Sequence, residues 1–404
     1  MREINLRHLF ALTVIAETGS LSAAAERVHL SQSALTQALR KIETAVGVPL
    51  FERVGFGVTH TDAGQLLIRR SERASALLAR AAREIRRRAS VTPGGEELNR
   101  HITASQLRAL VAIVETGGYS LAARKLGLAQ PTVYPAAKDL EARMGAQFFN
   151  RSAKGVETTD SARLLARYAE LALSEIRQGF EEISELMGNI GTRVSVGSLP
   201  LARAELIPTA ITRLLELYPD AKVSILDGPY EEQLHALRYG RIDWIIGALR
   251  NPTPTANIVQ QHLFDEPLSI VVRTGHPLLG PQAPDPAALA ELEWIAPREH
   301  TPTRHLFTAM FVRAGVPIPQ RVIECSSLVA TRGLLQMGDR AALLSPSQVR
   351  RDVESKQLAV LADSLPETTR SIGLTTRIDW VPTSIQEKFA DIVRGLTIDS
   401  GAKA

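Results

Sequence analysis

Two stretches of the chain match each other at a fixed distance. Glu17-Thr18-Gly19 returns as Glu115-Thr116-Gly117, an offset of 98 residues. The same offset pairs Leu9 with Leu107, Ala24-Ala25 with Ala122-Ala123, Gln32 with Gln130, Glu43 with Glu141, Phe51 with Phe149, Arg53 with Arg151 and Thr61-Asp62 with Thr159-Asp160, without a gap. A match this long in one register marks two copies of one folding unit, so whatever fold suits one copy must suit the other.

The unit is legible between Ser20 and Arg40. Ser20 can cap a short Ala-rich helix, His29-Leu30 interrupt it, and Ser31 offers its hydroxyl to the free amides that open a second helix. On that second helix Gln32, Ser33, Thr36, Gln37 and Arg40 share one side, while Leu35, Leu39 and Ile42 share the other and can bury. A major groove admits such a helix, and Gln, Ser, Thr and Arg reach base edges and phosphates there. Taken alone, the pattern also fits an ordinary helical hairpin with its polar side in water. The flanks add an amphipathic helix before it (Leu6, Leu9, Phe10, Thr13, Val14) and a short hairpin wing after it (Leu50-Phe51-Glu52-Arg53, then Gly55-Phe56-Gly57-Val58).

With Glu17-Thr18-Gly19-Ser20, Ala24-Ala25, Ser31-Gln32-Ser33-Ala34, Ile42-Glu43, Gly47, Leu50-Phe51-Glu52-Arg53 and Thr61-Asp62-Ala63-Gly64, the segment resembles the N-terminal domain of LysR-type transcriptional regulators. The family usually carries one copy, and this chain carries two. The resemblance implies a winged helix-turn-helix over residues 1–60, a linker helix over 61–95, a second winged domain over 96–158, a second linker helix over 159–190 and an effector domain over 191–404. Candidate DNA-reading residues are Ser31, Gln32, Ser33, Thr36, Gln37, Arg40 and Arg53 in the first copy, and Gln130, Thr132, Tyr134, Lys138 and Arg151 in the second. The expected partner is double-stranded promoter DNA, and the family likeness also allows contact with RNA polymerase.

Charge separates the copies. Residues 1–95 hold 14 Lys/Arg against 8 Asp/Glu, whereas 96–190 hold 11 against 12. The excess sits after the first winged domain, in Arg69, Arg70, Arg73, Arg80, Arg83, Arg86, Arg87 and Arg88 against Glu72 and Glu84, which favours a polyanion nearby. The same helix, from Thr61 to about Ser90, carries an apolar stripe at Leu67, Ala74, Leu77, Leu78, Ala81 and Ile85, and Val91-Thr-Pro-Gly-Gly95 should end it. In the family such a helix pairs with its counterpart in another subunit, which predicts a homodimer or homotetramer. The second linker helix has its own stripe (Leu164, Tyr168, Leu171, Ile176, Ile183, Leu186) but is acidic, a poor surface for phosphates. Opposite charge permits the two helices to lie together. Pro135, facing Gln37 in the alignment of the copies, predicts a kinked or late-starting recognition helix. The second copy therefore either touches DNA weakly, through shape and its remaining basic residues, or serves dimerisation and spacing.

After residue 191 strands alternate with helices: strands at Arg193–Gly197, Lys222–Leu226 and Asp243–Ile246, helices at Glu205–Leu217 and Glu231–Arg238. This reads as an open α/β domain with mostly parallel strands. Leu206-Ile-Pro208, Leu217-Tyr-Pro219, Gly240-Arg-Ile-Asp243, Gly275-His-Pro-Leu278 and Arg313-Ala-Gly315 resemble landmarks of the LysR-type effector domain. That likeness implies two subdomains with a cleft between them, as in periplasmic solute-binding folds. Ligands in such sheets bind beyond strand carboxyl ends, against helix N-termini. Ser198, Leu199, Pro200, Leu201, Pro229, Gly247, Thr301, Thr303, Arg304, Ser326 and Ser327 are the candidate effector contacts, with Arg203, Arg298 and Arg304 suited to an anion. Each Ser, Thr or Pro there also makes sense as a plain helix cap.

No hydrolase elbow, phosphate loop, HExxH or dinucleotide fingerprint occurs, so neither an enzyme nor a cofactor is expected. Cys325 is the single cysteine and reads as a buried, inert thiol, and no His/Cys spacing suggests a metal. No apolar run approaches a membrane span and Met1–His8 lacks a signal-peptide core, which predicts a cytoplasmic protein. The rival reading is a cytoplasmic small-molecule-binding protein whose winged domains serve oligomerisation only.

Overall fold

The computed structural model describes residues 5–89, 102–152, 155–189 and 191–401. The expected helix terminator at 91–95 lies outside them. The first winged domain comprises α1 (Leu6–Thr18), α2 (Leu21–Arg27), α3 (Gln32–Val46), β1 (Phe51–Val54) and β2 (Gly57–His60). Ser20 and Ser31 cap α2 and α3, accepting hydrogen bonds from the amides of Ala23 and Ala34. β1 and β2 pair antiparallel as the wing. The Glu43 carboxylate locks α3 to the wing by accepting from the amides of Leu50 (2.8 Å) and Phe51 (3.4 Å).

The second winged domain repeats this with α5 (Ala104–Thr116), α6 (Tyr119–Leu126), α7 (Gln130–Met144), β3 (Phe149–Ser152) and β4 (Gly155–Thr158). Glu141, the repeat of Glu43, accepts from the amides of Phe148 (2.7 Å) and Phe149 (3.0 Å). The late start expected of α7 does not occur. It begins at Gln130 with Pro131 in its first turn and runs on through Pro135. Pro135 costs one backbone hydrogen bond near the start, and burial of Val133, Ala137, Leu140 and Met144 along one face holds the remaining turns.

Two long helices follow the wings, α4 (Asp62–Ala89) and α8 (Asp160–Leu186). They pack against each other antiparallel: Arg70 meets Glu182, while Arg80 lies over the Tyr168 ring. Leu67, Ala74, Leu78, Ala81 and Ile85 of α4 are fully buried in one core with Tyr168, Ile176 and Ile183 of α8 and the interiors of both winged domains. Leu171 is partly covered by the same core, whereas Leu186 is exposed. The stripe on α4 is thus covered within the chain, and that face needs no second subunit. The contact is close at Gly179, where a Cβ would stand 3.1 Å from Cβ of Arg70 and 3.1 Å from Leu67.

The arginine-rich surface of α4 is also engaged from within. Arg70 is wholly buried, bonding Glu182 through Nε (3.0 Å) and Nη2 (2.6 Å), and Glu175 (2.8 Å), Gln178 (3.0 Å) and the Val381 carbonyl (3.0 Å) through Nη1. Arg69 pairs with Glu182 and Arg73 with Glu175. The polyanion that these residues meet is the acidic face of α8.

The third region holds β5 (Arg193–Ser198), α9 (Leu206–Leu217), β6 (Lys222–Asp227), α10 (Tyr230–Arg238), β7 (Trp244–Ala248), β8 (Ile258–Arg273), α11 (Pro286–Ala290), β9 (Glu293–Ala296), α12 (Pro302–Arg313), β10 (Val322–Glu324), α13 (Leu328–Gln336), β11 (Arg340–Leu344), α14 (Pro346–Glu354), β12 (Leu358–Arg377) and α15 (Ser384–Gly401). The strands form one sheet in the order β10-β9-β11-β8-β12-β7-β5-β6. Pairing is parallel within each outer trio (β10-β9-β11 and β7-β5-β6) and antiparallel wherever β8 or β12 takes part. The expected parallel character holds for the trios only. Two long antiparallel strands cross the middle and make two subdomains of one sheet. One core gathers around Trp244, Leu214 and Phe389, the other around Trp294, Phe307 and Phe311. Cys325 is partly exposed rather than buried, since β10 is the edge strand. Among the described residues no helix is long and apolar enough to cross a membrane, and no cluster of His, Cys, Asp or Glu could hold a metal ion.

Candidate functional site

The polar face of α3 stands clear of the core. Ser31, Gln32, Ser33, Gln37 and Arg40 are exposed and Thr36 half-buried, while Leu35, Ala38, Leu39 and Ile42 are buried beneath them. Two hydroxyls are spoken for: Ser31 caps the helix and contacts Ser33 (3.1 Å), and Thr36 donates to the Gln32 carbonyl (2.8 Å). Gln32, Gln37 and Arg40 therefore carry the hydrogen-bonding capacity that remains. Arg53 is exposed on β1, and Phe56, which residue patterning did not single out, stands fully exposed at the wing tip.

The matching face of α7 is more occupied. Gln130 accepts from the Ser120 hydroxyl (3.0 Å), Tyr134 packs edge-on against Tyr119 (5.1 Å), and Lys138 pairs with Glu141 (2.6 Å). The hydrogen bond that Lys138 donates to Glu141 raises its pKa above the ordinary value. Thr132 is exposed. Arg151 lies on β3; its side chain falls outside the described residues.

In the effector domain, the predicted loops divide. Leu199 and Leu201 are buried, and Leu199 packs on Gly247, where a Cβ would come within 2.5 Å of the leucine. Their side chains are core rather than cleft. Ser198 is buried at the end of β5, its carbonyl accepting from Arg203 and from Gln233 (2.8 Å). Pro200 and Pro229 are exposed, the latter capping α10. Thr301 caps α12, Arg304 donates to the Pro297 carbonyl (3.3 Å) and lies over Phe307, and Ser327 caps α13 beside exposed Ser326.

Thr303 alone leads to a cluster at the crossing of the long strands. Its hydroxyl accepts from Arg370 (3.1 Å), and Arg370 also bonds the Ser345 hydroxyl at the start of α14. Arg370 sits opposite Glu266 in the β8–β12 register. Burial pushes the Arg370 pKa down to about 10, with Glu266 opposing the shift and Arg250 adding to it. Arg250 follows β7 and lies 4.2 Å over the Tyr230 ring at the start of α10; burial lowers its pKa too. Nε of Arg370, Oε2 of Glu266 and the hydroxyls of Tyr230 and Ser347 are shut from solvent without a hydrogen-bond partner among the described residues. The N-termini of α10, α12 and α14 thus converge with two arginines where the two subdomains meet. Arg250 and Arg370 escaped sequence reasoning because only the pairing of distant strands brings them together.

Such an assembly, two winged helix-turn-helix units joined to a two-subdomain ligand-binding sheet, defines a DNA-binding transcriptional regulator with an effector domain. The LysR substrate-binding domain matches residues 188–396, and the bacterial lysR-family regulatory helix-turn-helix matches twice, at 6–65 and 104–163. The chain belongs to the LysR family. It is 34% identical over 373 residues to the HTH-type transcriptional regulator GalR of Pseudomonas putida, covering 92% of each chain. It is 27% identical to the regulator PcaQ of Agrobacterium fabrum, over 70% of this chain and 92% of PcaQ. The fold resembles a full-length OxyR variant from Pseudomonas aeruginosa (TM-score 0.56, 24% identity, 73% of this chain and 98% of that one). It also resembles CbnR, a LysR family transcriptional regulator (TM-score 0.52, 21% identity, 73% and 99%).

Proposed function

We propose that a single chain acts as a complete two-reader unit, in which α3 reads base edges and the second winged domain holds register against the DNA backbone. The observation that carries this is the pairing of α4 with α8 inside one chain, sealed by the buried Arg70 network. Assembly of chains into dimers or tetramers would then use another surface. CbnR, similar in fold, has been solved with its target DNA. The free side chains of α3 and the engaged ones of α7 support a division of labour. Gln37→Ala with Arg40→Ala should abolish preference for the operator, each lost base contact costing about 1–3 kcal/mol. Thr132→Ala with Tyr134→Ala should weaken binding and leave the preferred sequence unchanged. Footprinting and competition against scrambled DNA test this; equal loss of preference in both variants refutes it.

The effector is a small polar anion held at the crossing of the subdomains and released unchanged. A carboxylate facing Arg370 and Arg250 would satisfy the orphaned Nε, and a hydroxyl or amine on the same molecule would satisfy Glu266. Calorimetry on Arg370→Met should show binding of a hydroxycarboxylate effector weakened about tenfold or more, as expected for a lost charge-assisted hydrogen bond. Unchanged affinity would remove the assignment.

A further inference from the structure

A cavity of about 320 Å³ lies where α4 and α8 meet the effector domain, at the Arg377 end of β12. Arg73, Arg80 and Arg83 of α4, Arg167 of α8, Arg238 at the end of α10 and Arg377 at the end of β12 line it, against the carboxylates of Glu175 and Asp379. Both carboxylates are already claimed. Glu175 bonds buried Arg70 as well as Arg73, and Asp379 accepts from Arg80 at 3.5 Å. Arg377 spends one nitrogen on the carbonyls of Leu237 and Ile242 (2.9 Å each). Burial holds its pKa down to about 10, so it remains charged at neutral pH, and no carboxylate among the described residues bonds it.

The donors here are left over. Nε of Arg73, Arg167 and Arg238 and the indole N–H of Trp380, all on lining residues, are shut from solvent and bond nothing among the described residues. A buried donor without an acceptor costs free energy, and six guanidinium groups around one small volume repel each other. Tyr168 and Trp380 supply flat walls, with Arg80 and Arg167 set over the first ring and Arg377 over the second.

We propose that this junction is a second ligand site, taking a small oxyanion with two or more negative charges, whether polycarboxylate or phosphate. Such an anion would bridge α4, α8 and the effector domain, and so fix how the reader pair sits on the sheet. Any preference of the anion for one arrangement of these parts would be returned as a change in DNA affinity.

The test uses the full chain at constant ionic strength, with citrate and pyrophosphate as separate probes. At least one should bind by calorimetry and change tryptophan fluorescence. Trp244 and Trp294 are buried in the subdomain cores, so a fluorescence change lost in Trp380→Phe reports the junction. Arg167→Met and Arg83→Gln should each weaken binding, the former about tenfold for a charge-assisted contact, while Arg370→Met keeps the signal. Arg83 is exposed, so Arg83→Gln leaves the fold intact even if Arg167→Met does not. A preference for citrate or pyrophosphate identifies the anion class. Binding of neither probe overturns the proposal, as does binding that survives Arg167→Met and Arg83→Gln but is lost in Arg370→Met.

Discussion

Arg70 shows how much one residue carries here. Its repeat partner, 98 residues on, is Tyr168, so at this position the copies have parted: one helix sends a cation into the interface, the other an aromatic ring. Burial works against the Arg70 charge, but the hydrogen bonds it donates to Glu182 and Glu175 outweigh it and raise its pKa. Arg70→Ala would leave the buried carboxylates of Glu175 and Glu182 with only Arg73 and Arg69 as ionic partners, and should cost about 3 kcal/mol in urea unfolding, the low end for breaking a buried pair. Adding Glu175→Gln and Glu182→Gln should recover part of it. Two carboxyls nearby behave oppositely. Burial raises Glu181 to about 7, with Arg177 and Arg193 opposing and Asp243 reinforcing the shift, and burial raises Asp243 to about 6. Their neutral forms suit the fold, so ionisation costs stability as pH climbs from the ordinary carboxylate range to about 7. Glu181→Gln should therefore lose about 2–3 kcal/mol less than the wild type between pH 5 and pH 8, a shift of about two pKa units being worth that much. Parallel pH curves for the two proteins would contradict this.

Among the elements, caps and stripes were the legible part. Ser20 and Ser31 mark the helices of the first winged domain, and the 98-residue register carries that reading to the second, where Gly118 and Ala129 open the matching helices without a capping side chain. The stripe on α4 was equally plain, but a stripe states only that cover is needed, not which helix provides it. Charge held the answer, since the basic helix and the acidic helix are each other's partners. Pro135 misled because its local penalty is real but small against the buried face of α7. Pro135→Ala restores the amide that can reach the Pro131 carbonyl, and should stabilise the second winged domain by about 1–3 kcal/mol. Hydrogen exchange across residues 130–144 checks it; protection no greater than in the wild type would mean that the helix had already absorbed the break.

At the scale of the whole molecule, the Arg250–Arg370 cluster was the least legible feature, because the two arginines are brought together by the β7, β8 and β12 register, far apart in sequence. The reader pair has the opposite character, being built by one continuous run of chain. In an assembly where linker helices pair between subunits, dilution separates the readers; here α4 and α8 cannot separate without unfolding. Effector-domain contacts hold the pair in place: Arg241 bonds Glu170 of α8 (2.6 and 2.7 Å) and also meets Glu115 of the second winged domain. On the proposed division of labour, a fixed pair demands a fixed distance between two footprints on DNA. Inserting about 5 bp between them turns one by half a helical turn and should remove the second footprint while the first, under α3, persists. Inserting about 10 bp restores the facing and should recover binding only in part, because the α4–α8 pair cannot lengthen. The spacing rule should hold down to concentrations at which light scattering finds single chains. A rule that disappears on dilution would place the pairing of readers between chains instead of within one.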